Sequence, residues 1–182
     1  MKDLAFSSEI RRFVWLQVAL NMFFNSLGII TAPGGMLPVM APTGSVIFDF
    51  TLTTILIPFF LFVFGRLELI GFRTKNNLEG VAFDHKNKNH TKLLPFATVS
   101  PAVAYFKLLI RCAVFITLPI FAVVYFLFGE AGAAPVLPML GIKELLAVIM
   151  AMYTAKVGAS VGAFDMTTVP GGYMPQAKPA KA

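Results

Sequence analysis

At 182 residues, with 57% hydrophobic side chains, only 13% charged ones and 19 phenylalanines, the chain has too little polar surface to cover a water-soluble globule. Its net charge of +6 does not describe a nucleic-acid-binding face, because the basic residues fall between apolar runs rather than on a polar domain. A lone cysteine, Cys112, excludes an intramolecular disulfide and sits where a packing residue belongs.

Residues 1–12 are polar and end in Arg11 and Arg12. The apolar run 13–32 that follows has about the ~20 residues needed to cross a ~30 Å hydrocarbon core. Its basic start would suit a signal peptide, but an apolar signal region is usually only ~7 to 15 residues long. This run is longer and carries Gln17, Asn21 and Asn25, so it reads as a retained first span. Spaced by four, the three amides share one face, which points inward either as hydrogen-bonding glue between helices or as a ligand stripe.

Residues 33–44 hold three prolines, three glycines and no charge, a composition that breaks a helix yet can lie at the membrane boundary. The second span, 45–65, carries Asp49, Thr51, Thr53, Thr54 and Pro58. Residues 66–100 form a basic loop, with Arg66, Arg73, Lys75, Lys86, Lys88 and Lys92 against Glu68, Glu79 and Asp84. His85 and His90 beside Asp84 could in principle hold a metal. Their spacing resembles one histidine box of the membrane desaturases and hydroxylases, whose di-iron sites take several boxes. The chain has two histidines in all, so no metal or other cofactor is expected and the segment reads as a solvated basic loop near anionic headgroups.

The third span is 101–128, with Lys107 and Arg111 near its start and four residues apart on one face. They read as interfacial anchors whose stems snorkel to water, against the alternative of an intramembrane anion site. Residues 129–142 repeat the composition of the first connection, and Val-Leu-Pro-Met-Leu there echoes Met-Leu-Pro-Val-Met, a hint of a duplicated hairpin. In the fourth span, 143–164, Ala147, Ala151, Ala155, Ala159 and Ala163 form one ridge, flanked by Gly158 and Gly162. Such a ridge lets helices approach closely, which is what drives their packing in lipid. Lys156 lies inside the same span, where a charge needs a protein partner, a wet cavity or a route to the interface. The tail 165–182, broken by Pro and Gly, is expected to be disordered.

Loop lysines and arginines cluster at the N-terminus, in 66–100 and in the tail, while 33–44 holds none and 129–142 holds only Glu130. By the positive-inside rule both termini face the cytoplasm. The expected fold is therefore an all-α membrane protein of four spans in two hairpins, in the inner (plasma) membrane. At ~1.5 Å rise per residue, Lys156 and Asn21 sit level, roughly 10 to 13 Å from the inner surface, while Asn25 and Asp49 sit near the outer one. Asp49 and Lys156 are then about 12 to 15 Å apart along the normal: either the Gln17, Asn21, Asn25 stripe bridges them, or Lys156 snorkels inward and Asp49 outward, each independently.

Three functional classes follow. An accessory or assembly subunit would dock on lipid-embedded partners, or on copies of itself, through its small-residue ridge and Phe-rich surfaces. An oligomeric transporter or channel would use Lys156, Asp49 and the amide stripe as a path. A membrane enzyme is the least favoured, since the chain holds no Walker loop, no Gly-x-Ser-x-Gly and no zinc signature.

Overall fold

A computed structural model describes residues 7–30 and 35–173, with side chains in the first helix described from 8 to 23. The chain forms α1 (Ser7–Ile30), β1 (Met36–Pro38), α2 (Val46–Lys75), α3 (Lys88–Ala97) and α4 (Pro101–Cys112). A π-helical segment, Ala113–Thr117, joins α4 to α5 (Leu118–Phe128), followed by β2 (Ala133–Pro135) and α6 (Val136–Ala163). Among the described residues, Val46–Lys75, Pro101–Phe128 and Val136–Ala163 are each long and apolar enough to cross a bilayer, which marks the chain as a membrane protein. The expected first span falls on α1, of which residues 24–30 lack described side chains.

The centre of the fold is α6. Both α1 and α2 pack along it, and they touch each other little. The reason lies in the small residues: Ala147, Ala151, Ala155, Ala159 and Ala163 are all fully buried. A methyl group added at Gly158 would meet the backbone of Phe62, with Phe62 Cα only 2.8 Å away, and one at Gly162 would meet the backbone of Arg66 at 3.0 Å. From the other side, a methyl on Gly65 of α2 would lie 3.0 Å from the Ala159 nitrogen. The two backbones therefore run in direct contact, as lipid-driven packing of small residues requires.

The third span is bent out of regular geometry by its own sequence. Pro119 has no N–H to give to Phe115, and just before it the helix widens so that the Leu118 N–H reaches back to the Ala113 carbonyl. Its lower half, α4, packs on α2 and on α3. Of α5, Val124 alone is buried, while Phe126 and Phe115 of the preceding turn are 87% and 75% exposed.

Several expected boundaries move. Helix α2 runs ten residues past Gly65, since loss of hydropathy ends a lipid-facing stretch without ending a helix; its last turns carry Arg66, Glu68, Arg73 and Lys75. Helix α6 starts at Val136, seven residues before Lys143, because Pro138 is tolerated in a first turn. The echoed pentapeptides accordingly differ in structure. Met36–Pro38 is a strand, pairing antiparallel with Ala133–Pro135, whereas the Val-Leu-Pro of the second copy opens α6. Within the basic loop, α3 is a short amphipathic helix with His90, Leu93, Phe96 and Ala97 buried.

The start of the expected disordered tail is ordered. Val81 and Phe164 form a parallel bridge, with Val81 N–H donating to the Ala163 carbonyl and Asp165 N–H to the Val81 carbonyl, both at 2.9 Å. Val169 is buried, and Tyr173 N–H donates to the Ala97 carbonyl. Breakers in a sequence stop a helix, but a chain segment can still be held by backbone bonds to a neighbour. Residues 174–182 lie outside the described residues.

Candidate functional site

The polar groups within the bundle gather in three places. The first is an ion pair between α2 and α6. Asp49 lies in the first turn of α2, a position where the helix dipole favours a carboxylate, and Ser45 caps that helix by accepting the Phe48 N–H. Lys143, two turns into α6, places its Nζ 2.8 Å from Asp49 Oδ1 and 2.7 Å from Oδ2. Lys143 is 4% exposed in its side chain and Asp49 is 32% exposed, so the ammonium is buried and the carboxylate keeps an opening. That opening is a cavity of about 340 Å³ lined by Asn21, Asp49, Lys143, Thr53 and the apolar Leu52, Leu56, Ile57 and Phe60.

This corrects the expected bridge. Asp49 is paired by Lys143, which lies inside α6 and not at its start, and not through amides to Lys156. Of the stripe, Asn21 reaches the Asp49 cavity and donates from Nδ2 to the Gln17 carbonyl one turn back. Gln17 lines a separate groove with Phe64, Glu68 and Gly71. The side chain of Asn25 lies outside the described residues. The signal that would have found the pair is the apolar run 136–142 with a first-turn proline, which puts Lys143 inside the helix.

The second place is a partly buried hydroxyl contact between α2 and the third span. Thr54 and Thr117 meet at 2.6 Å between Oγ1 atoms, and Thr117 also reaches Met150 Sδ at 3.9 Å. Thr54 additionally donates to the Phe50 carbonyl of its own helix. The contact joins α2 to the widened turn of the third span, close to where Pro58 leaves the Thr54 carbonyl without its usual donor.

The third place is the end of the bundle where α6 finishes. Arg73 donates from Nη1 to the carbonyls of Phe164 and Gly162 at 2.8 and 3.3 Å, placing a cation on the negative end of α6. His90 is buried, accepts the Asp84 N–H at Nδ1 and stacks edgewise on Phe164. Its role is to close the loop 81–90 over the helix end, and among the described residues no group of three or more metal-ligating side chains gathers. Lys107 and Arg111, expected as interfacial anchors, are tied to α3: Lys107 Nζ donates to the Pro95 carbonyl at 3.2 Å, and Arg111 lies over the Phe96 ring at 4.8 Å. Lys156 is exposed and lines a cavity with Arg111 and Lys92 at this same end.

Three helices long and apolar enough to cross a bilayer, two of them in direct backbone contact through small residues, define a helical membrane protein. No family model matches the chain, and neither a curated protein nor a solved structure matches it.

Proposed function

We propose that the protein is an accessory or assembly subunit of a membrane complex in the cell inner membrane, working through helix-to-helix contact. In this reading α1 is a fourth span, the helices form two hairpins and both termini lie on the cytoplasmic side. The charge distribution supports that orientation: Arg11, Arg12, Arg73, Lys75, Lys86, Lys88 and Lys92 sit at one end of the bundle, and the paired strands at the other end hold no charge.

The observation that carries the reading is the disposition of the third span. Helices α1 and α2 both pack along α6, whereas α5 leaves most of its surface free, with Leu118, Val123 and Leu127 each more than half exposed along with Phe126. A three-helix weld carrying one free apolar limb is the form of a docking subunit, with another membrane protein as the occupant. The test is a photo-crosslinking amino acid placed at Phe126 or Leu118, with Phe64 on the exposed side of α2 as the comparison site. Discrete protein adducts from the α5 positions and lipid adducts from Phe64 are expected. Lipid adducts alone from all three would defeat the docking reading.

One observation favours a second reading, an oligomeric transporter: the cavity beside the ion pair, onto which Asp49 and Asn21 open. Ion flux in reconstituted vesicles that disappears with Asp49→Asn would support it.

A further inference from the structure

Three cations from three different elements meet at one cavity of about 370 Å³ at the cytoplasmic-loop end of the bundle: Lys92 of α3, Arg111 of α4 and Lys156 of α6. No carboxylate is among the residues lining it, and among the described residues no carboxylate pairs with any of the three. Like charges converging without a counter-ion are costly, so the arrangement calls for an anion. Asn89 and the buried Ser160 add an amide and a hydroxyl, and the remaining walls are apolar or aromatic, with Phe96 and Tyr153 among them. Arg111 is held in place by its stacking on Phe96, which lines the same cavity.

Depth identifies the kind of anion. Lys156 lies about 10 Å before the end of α6 and Arg111 about 15 Å after the start of α4, at ~1.5 Å per residue. Roofed by the amphipathic α3, the cavity thus sits where headgroups meet acyl chains. On the deeper side of each cation, one helical turn away on the same face, an apolar side chain is left exposed: Phe115 below Arg111 and Met152 below Lys156. The site is polar at one end and greasy at the other.

We propose that this cavity binds the phosphate of an anionic phospholipid, with the three cations around the headgroup and the acyl chains along Phe115 and Met152. Basic pockets between spans on the inner side are suited to that chemistry. The inference rests on membrane residence and on the orientation proposed above, and is separate from any docking role.

The test is native mass spectrometry of the full-length protein titrated with phosphatidylglycerol or with phosphatidylcholine of the same chains. At least tenfold preferential retention of phosphatidylglycerol is expected, since the choline cation is repelled by the same three charges. Lys92→Gln and Lys156→Gln should each weaken retention about fivefold, and Lys86→Gln, on the loop outside the cavity, should not. A tenfold excess of inorganic phosphate should leave the lipid bound. Equal retention of the two lipids by the wild-type protein would overturn the proposal without reference to any variant. So would equal losses for Lys86→Gln and Lys156→Gln, and displacement by inorganic phosphate would reassign the cavity to a soluble anion and end the lipid reading.

Discussion

Asp49 and Lys143, 94 positions apart in the chain, meet at 2.7 Å and fix the register of α2 against α6. The pair is lopsided, with the ammonium buried and the carboxylate a third open to the cavity beside it. Removing the carboxylate therefore strands a charge that has nowhere to go. Removing the ammonium leaves one that water can reach.

Asp49→Leu should accordingly cost more stability than Lys143→Leu, about 2 to 4 kcal/mol against about 1 kcal/mol. The double variant should recover most of the loss, because two apolar groups replace two charges. Thermal unfolding in detergent measures all three, and equal, additive single effects would contradict the account.

Gly158 and Gly71 make a matched pair for the packing of α6. An added methyl at Gly158 meets the Phe62 backbone, whereas at Gly71 it meets nothing within 4 Å. Gly158→Ala should destabilise by about 1 to 3 kcal/mol through overpacking. Gly71→Ala should be neutral or stabilise by up to about 1 kcal/mol, since Ala is the better helix former. The same unfolding measurement separates them.

The Thr54 and Thr117 hydroxyls lie 2.6 Å apart between α2 and the widened turn of the third span. A double-mutant cycle with Thr54→Val and Thr117→Val should yield a coupling of about 0.6 kcal/mol and no more than about 1.7. Zero coupling would mean that the third span is not held at this point.

Arg73 closes the C-terminal end of α6 by donating to the carbonyls of Phe164 and Gly162. Arg73→Ala should free residues 81–84 and 164–168, read as at least tenfold faster amide exchange there, with the rest of α6 unchanged. The same segment carries a pH signature. Hydrogen bonds from Thr167, first its side chain and then its backbone N–H, hold the Asp165 carboxyl below its ordinary pKa, with Arg73 adding to the effect. Its contribution is present above the ordinary carboxylate pKa and is lost as pH falls through the lowered one. Exchange at 165–168 should therefore accelerate in acid, once corrected for the intrinsic pH dependence, and Asp165→Asn should remove that step.

The weld at the heart of the fold was legible because small residues spaced by four have one strong meaning in lipid, and α6 buries Ala147 to Ala163 along that spacing. The ion pair was not legible. Depth counted from the ends of hydropathy runs placed Lys143 at the membrane edge, while the helix containing it begins seven residues earlier. The same confusion of hydropathy with helicity ended α2 at Gly65 instead of Lys75. Lys92, Arg111 and Lys156 could each be seen as a cation near the inner surface, but their convergence depends on how α3 folds under the loop, which no periodicity encodes.

The central claim is that this chain works by joining other membrane proteins. Native mass spectrometry of the protein, withdrawn gently from its own membrane by an affinity tag on the tail, tests it most directly. The account predicts a stoichiometric foreign membrane subunit travelling with it. Recovery only as the single chain or as copies of itself would contradict it and turn attention to ion flux through the Asp49 cavity.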